Sequence, residues 1–400
     1  MKPPLDYREF FSFHILFFKL TGFWKPDKHM RYKTVYEIYS FICNMCFVLF
    51  LLSQFIYMYQ NIDDVDKIMS VFYLAGPFIV NMFKMLAVYR KFDEIKILMK
   101  KLNNTVFQPK CEQHLEIAFN QKKFHKIFFH LCLYLGLQTY LLFYLCFFLN
   151  DDMVTPAQGW FPFDYTRSPY FEMVYIFQNA VILWNTVNIV NVDVFCAAFM
   201  MQIGMQCDYL CTTLNNLNLF RVKNGTLTQM DKQDVVKEND ACFSSVMLEN
   251  LIVCIQHHRD IKRIANEIES ILRIGVFILF CGGGVIICSG LFQLSTASIG
   301  SMQSIMLVFY TISMLTDQFV YCGFGNNVIE KSSNIFRCAY NTPWVECDIR
   351  FKKILLQFMT ETKNPMRIRV GGMLVVSNAV FMSVSKSSYS IFTLLKKVQE

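Results

Sequence analysis

Seven long, mostly apolar stretches decide what this chain can fold into. They run over 38–59, 68–89, 127–149, 174–201, 274–294, 304–325 and 370–395. The first alone is 22 residues, which as a helix measures about 33 Å at 1.5 Å per residue, enough to cross a hydrocarbon core of about 30 Å. Each stretch must be helical, because lipid offers no hydrogen-bond partner to an open backbone. In a soluble chain, 400 residues would imply two or three domains. With 54% hydrophobic residues and 41 Phe gathered into such runs, the expectation is instead an all-α, seven-transmembrane-helix membrane protein. Residues 1–34 are mixed and charged, without the apolar centre of a signal peptide. The expected layout is an N-terminal segment 1–34, spans one to six within 35–325 with a long loop 202–273, a second long loop segment 326–369, and a last helix with a short tail, 370–400.

The net charge of +7 is set by membrane orientation rather than by nucleic acid. Lys and Arg number 7 before the first span and 9, 8 and 8 in the loops after the second, fourth and sixth. The other side holds 1, 1, 0 and 2, giving 32 against 4, with Lys84 and Lys386 inside spans. The positive-inside rule therefore expects a cytoplasmic N-terminus and, after seven crossings, an extracellular C-terminus. A G-protein-coupled receptor has the opposite orientation.

Nothing in the sequence points to an enzyme. There is no G-x-S-x-G, H-E-x-x-H or Walker loop, and Gly323-Phe-Gly325 lacks the third glycine of a dinucleotide fingerprint. No cofactor and no metal are expected. Cys254, His257 and His258 lack a second ligand pair at suitable spacing, so a solvated helix face is the expectation there. None of the 15 cysteines falls in the expected outer loops 60–67, 151–173 or 295–303, so no disulfide is expected in them. The sequons at Asn103 and Asn224 fall on expected cytoplasmic loops and should stay unmodified.

The two long loops carry amphipathic helices. Leu248, Leu251, Ile252, Ile255, Ile261, Ile264, Ile268 and Ile271 recur at helical spacing, and a second stripe covers 349–358 before Pro365 ends it. Both stripes lie on the cytoplasmic side, so packing into one small helical bundle is preferred over lying on the membrane.

Polar residues inside spans need a reason, because each costs free energy in lipid. Lys84 lies near the inner end of span two and is expected to snorkel to the interface. Asn185, Asn188, Asn191 and Asp193 in span four either line an aqueous cavity or hydrogen-bond between helices, the second being preferred. Asp317 is expected to pair near the cytoplasmic side. Aromatics crowd the outer halves of several spans: Phe72 and Tyr73, then Tyr140, Phe143, Tyr144 and Phe147, then Phe177, and Tyr310. Such a wall suits a small apolar ligand, and plain packing accounts for it equally well.

Several stretches carry a resemblance. "YCGFGNNVIEKSSNIFRCAYNTPW" (321–344), "SYSIFTLL" (388–395), "CDYLCTTLNN" (207–216) and "ENLIVCIQHHRDI" (249–261) are similar to motifs of the insect odorant receptors. The Thr-Tyr…Gln-Phe signature of the related gustatory receptors is absent from span seven. The resemblance implies a subunit of a tetrameric, ligand-gated, nonselective cation channel at the plasma membrane of a sensory neuron dendrite. It further implies a common odorant coreceptor as partner, a small volatile odorant as ligand, and a cytoplasmic anchor bundle between subunits. Loop four is too short for the coreceptor's long insertion, so the chain resembles an odorant-tuning subunit. Alternatives are a G-protein-coupled-type chemoreceptor or a gustatory-receptor-like channel.

If span seven lines a pore, as the resemblance implies, its own spacing names the face. Ser383, Ser387, Ser390, Leu394 and Val398 follow intervals of four, three, four and four, with Phe381, Val384, Phe392 and Leu395 opposite. The expected gate is Leu394 and Val398 above a hydroxyl-lined vestibule of Ser387 and Ser390, with Thr393 at its edge. Small serines packing closely against neighbouring helices are the competing reading.

Overall fold

The computed structural model describes residues 6–26, 32–148, 155–165, 167–223, 225–230, 242–298 and 300–399. The helices are α1 (Arg8–Leu20), α2 (Lys33–Gln60), α3 (Val65–Arg90), α4 (Phe92–Leu102), α5 (Glu112–Phe148), α6 (Tyr170–Asn215), α7 (Phe243–Thr296), α8 (Met302–Tyr340), α9 (Ile349–Thr362) and α10 (Asn378–Gln399). Two short 3-10 turns (Thr105–Phe107 and Leu217–Leu219) and two antiparallel hairpins complete the described secondary structure, the hairpins being β1 (Phe220–Lys223) with β2 (Thr226–Gln229) and β3 (Arg369–Val370) with β4 (Leu374–Val375). Helix starts follow local chemistry. The side chains of Asp64, Ser301 and Asp348 accept the backbone N–H of Lys67, Ser304 and Phe351, capping α3, α8 and α9.

Six of the seven expected spans lie on helices long and apolar enough to cross a membrane. Lipid faces are visible as exposed apolar rows, such as Ile38, Phe41, Ile42 and Leu49 on α2 and Ile127, Leu131 and Tyr134 on α5. In water such rows would be a liability; in hydrocarbon they cost nothing.

The loops differ from expectation in one systematic way. Much of the two long loops is continuous helix, since α6 runs on to Asn215, α7 begins at Phe243 and α8 continues to Tyr340. Sequence hydropathy marks where a helix leaves lipid, not where it ends. The apolar stripe of loop four is therefore the inner half of α7, with Ile261, Ile264, Ile268 and Ile271 buried. α9 packs on α7 and α8 through Phe351, Leu355 and Phe358. The two stripes thus meet in one bundle within this chain.

Within the N-terminal segment, α1 inserts Phe10, Phe11, His14 and Phe18 into the core. Two expectations are corrected here. His257, His258 and Cys254 are buried rather than solvated, and His257 Nε2 lies 3.1 Å from Gln206 Oε1. The last span does not begin at 370. Gly371 and Gly372 adopt φ of 62° and 80° in the β3–β4 turn, a conformation that disfavours any residue with a Cβ, and helix resumes only at Asn378. Of the sequons, Asn103 accepts from Tyr7 N–H at 2.8 Å, and Asn224 lies outside the described residues.

A candidate ligand cavity with a charged floor

The asparagine row of α6 resolves first. Asn188 Oδ1 accepts from Thr21 Oγ1 at 2.9 Å, Asn191 Oδ1 meets His14 Nδ1 at 2.7 Å, and Asn191 Nδ2 donates to the His14 carbonyl at 3.2 Å. Asn185 accepts from Asn81 Nδ2 at 2.7 Å. The row is glue between helices, fastening α1 and α3 to α6.

A cavity of about 130 Å³, which Asn185 also lines, opens between α3, α5, α6 and α8. On α5 its lining runs from Cys132 to Phe143, about 16 Å along the helix at 1.5 Å per residue. Phe78, Tyr140, Phe143 and Tyr310 form its aromatic part, joined by Leu74, Ile182, Ile189 and Val190. Thr139, Thr186 and Ser313 add hydroxyls, but Thr139 and Ser313 already bond each other at 2.8 Å. The wall is therefore chiefly apolar, as a site for a small hydrophobic molecule requires.

Pro77 in α3 explains the placement of Tyr310. Proline has no N–H, so the Tyr73 carbonyl, four residues earlier, loses its helical donor. The Tyr310 hydroxyl donates to that carbonyl from α8. The two rings meet edge to face with centroids 5.5 Å apart. Gly290 of α7 makes room, since a Cβ there would stand 3.0 Å from the Tyr310 ring. Tyr310 thus ties α3 and α7 to α8 while its ring lines the cavity.

The floor is charged. Lys84 Nζ lies 2.7 and 2.9 Å from the Asp193 oxygens and 3.4 Å from each Asp317 oxygen. The Tyr321 hydroxyl donates to Asp193 at 2.7 Å. Lys84 is 2% exposed, so it does not snorkel. Sequence spacing could not pair it, because its partners lie on α6 and α8. A buried lone ammonium is prohibitively costly, whereas one flanked by carboxylates and fully hydrogen-bonded is tolerated.

The aromatic residues singled out from sequence divide. Tyr140, Phe143 and Tyr310 line the cavity, and Tyr73 stands behind Tyr310. Phe72, Tyr144 and Phe177 are not among the lining residues: Phe72 and Phe177 pack on the core, and the Tyr144 ring is tilted against Tyr175 with centroids 6.2 Å apart. The Phe147 side chain lies outside the described residues. Phe78 and Asp317 were missed as lining residues, and Asp193 lines the cavity although bonding between helices was the preferred reading of it. The signal for Asp317 was its presence inside a span, which was read as pairing alone.

On α10, Ser383, Ser387, Ser390 and Leu394 are exposed, Leu394 at 65%. Thr393 is half-buried and donates to the Ser390 carbonyl at 2.8 Å, and the Val398 side chain lies outside the described residues. Ser388 is buried against Gly284 of α7. Ser388 therefore serves close packing, Ser385 is half-buried, and the other three serines lie on an open face. Lys386 is also exposed and flanks that face.

The comparisons with known proteins agree with this architecture. A family model described as 7tm Odorant receptor matches residues 64–389. This chain belongs to the 7tm odorant receptor family. Odorant receptor Or1 of Anopheles gambiae is 21% identical over 98% of this chain and 96% of that protein. Odorant receptor 46a, isoform A, of Drosophila melanogaster is 22% identical over 96% of each. Odorant receptor 10 of Aedes albopictus reaches 32% over a shorter stretch, 37% of this chain and 39% of its own length. The olfactory receptor OR5 from Machilis hrabei, solved in complex with eugenol, has the same fold. Its TM-score is 0.82 at 14% identity, over 98% of this chain and 100% of that one. The protein is thus an odorant receptor with a seven-transmembrane-helix fold, not an enzyme, and the cavity is the prime candidate for its ligand site.

Proposed function

We propose that this receptor is the odorant-tuning subunit of a heteromeric, ligand-gated, nonselective cation channel, assembled with the common odorant coreceptor in a hetero-tetramer. Its place would be the plasma membrane of a sensory neuron dendrite. The observation that carries the channel reading is the exposed face of α10. Ser383, Ser387 and Ser390 in a row are poor lipid contacts but suit a water-filled pore shared between subunits. Leu394, further along the same face, would form the hydrophobic constriction with Val398, and Thr393 would stand at its edge. A small volatile odorant would bind in the α3–α5–α6–α8 cavity; the complex of the Machilis hrabei receptor with eugenol supports a small organic ligand in this fold. The charge asymmetry of 32 against 4 supports an extracellular C-terminus, against a G-protein-coupled reading.

The test is whole-cell recording with this chain and the coreceptor coexpressed. Volatile-evoked cation current that persists without G-protein signalling, and that exceeds any response of the coreceptor alone, is the expected result. A response that depends on G proteins would overturn the reading. Leu394→Ser should add current without ligand; normal surface expression with unchanged resting current and gating would remove Leu394 from the gate.

A further inference from the structure

We infer that this receptor's ligand class is small amines, held as ammonium by Asp317 at the cavity floor. The inference rests on the cavity being the odorant site, and it adds the chemistry that the aromatic wall leaves open. Two carboxylates face one ammonium: Lys84 is the sole cation among the residues lining this cavity and the smaller one beside it. The two carboxylates are not equally served. Asp193 receives Lys84 at 2.7 and 2.9 Å and Tyr321 at 2.7 Å. Asp317 receives Lys84 at 3.4 Å to either oxygen, with the Asp193 carboxyl beside it. Its carboxylate therefore keeps acceptor capacity.

A second feature points to the same donor. The smaller cavity, about 10 Å³, shares Pro77, Ile189, Met314 and Asp317 with the larger one. It is about the size of one water or one ammonium head. Gln318 lines it, is 1% exposed, and its Oε1 has no partner among the described residues. The Gln318 amide nitrogen is lodged against Gly283, so the carbonyl is the end left over. An ammonium there would donate to Asp317 and to Gln318 Oε1. Lys84 also lines the smaller cavity, so the carboxylates would be shared between two ammonium heads, while an apolar body filled the larger cavity. At about 130 Å³ that body is on the order of one benzene ring, which a cavity of about 150 Å³ accommodates.

The test compares benzylamine, benzyl alcohol and toluene, matched in shape, as agonists of this chain coexpressed with the coreceptor, with coreceptor-only responses subtracted. Benzylamine should activate at a concentration about tenfold below benzyl alcohol, with toluene weakest, because a charge-assisted bond is about twice as strong as a neutral one. Asp317→Asn should bring amine and alcohol to within about threefold, and Asp317→Glu should keep the amine preference. The unmodified receptor decides even where a variant fails to reach the surface. Benzyl alcohol or toluene matching benzylamine, or an amine preference that survives Asp317→Asn, would overturn the inference. Current driven by neutral volatiles alone would sink it while leaving the odorant-gated channel intact. A chain silent to every volatile would remove both.

Discussion

The link between Pro77 and Tyr310 gives a prediction whose size follows from the geometry. Tyr310→Phe deletes one hydroxyl and leaves the ring in its edge-to-face position against Tyr73, 5.5 Å between centroids. What is lost is the donor to the Tyr73 carbonyl, which Pro77 has already deprived of its helical partner. A buried carbonyl left without a partner costs about 1–3 kcal/mol. In a Pro77→Ala background, residue 77 regains an N–H that can serve the same carbonyl, so Tyr310→Phe should then cost under about 1 kcal/mol. The two positions should therefore be coupled by about 1 kcal/mol or more in a double-mutant cycle. Thermal unfolding midpoints of the four detergent-purified proteins measure it. An equal loss in both backgrounds would show that the hydroxyl does not compensate for the proline, and the reasoning would fall.

Other parts of the structure predict as directly. Lys84→Met leaves two carboxyls buried without their cation and should cost about 3–5 kcal/mol, seen as lost surface expression and a lower unfolding midpoint. Adding Asp193→Asn and Asp317→Asn should recover most of that loss; no recovery would contradict a charge-based account. Gly325→Ala would place a Cβ 2.5 Å from the Val376 carbonyl and should destabilise the α8–α10 junction by about 1–3 kcal/mol. Gly323→Ala, whose Cβ would meet only Phe319 of its own helix at 3.5 Å, should be near neutral, and equal effects would refute the packing argument. His14 is fully buried, and desolvation holds its pKa well below the ordinary 6.5. Its Nε2 also faces His125 Nε2 at 3.1 Å, a contact that a second proton would break. Stability from the neutral ring is complete above pH 6.5 and lost as pH falls below it, because the unfolded state protonates first. Protection of α1 amides, taken relative to the intrinsic exchange rate at each pH, should therefore fall on acidification, and much less so in His14→Phe; pH-independent protection would contradict this.

Much of this molecule was legible in its sequence, and the boundary of legibility has a physical cause. Hydropathy located the spans because burial in lipid acts on each segment separately. It missed the extensions of α6, α7 and α8, since those halves bury only one stripe and read as loop amphipathicity. The turn at Gly371 and Gly372 was hidden inside an apolar run that a strand pair satisfies as well as a helix. At the site, aromatic spacing on α5 brought out Tyr140 and Phe143, which one helix places on one face. Lys84 was misread because its partners Asp193 and Asp317 lie 109 and 233 residues away, and no local pattern encodes such a meeting. Phe72 and Tyr144 were included for the same reason in reverse. Sequence gives the face of a helix, but only its neighbours decide whether that face looks into a cavity.

The central claim is that odorants are selected inside the α3–α5–α6–α8 cavity, and the most direct test enlarges it. Tyr140→Ala and Phe143→Ala, coexpressed with the coreceptor, should be assayed by current across a homologous series of ligands. Each methylene in such a pocket is worth about 1–3 kcal/mol, so removing a ring should shift the preferred ligand to longer homologues and reorder potencies. If every potency instead fell by one common factor, or none changed, the cavity would not be where this receptor reads its ligand.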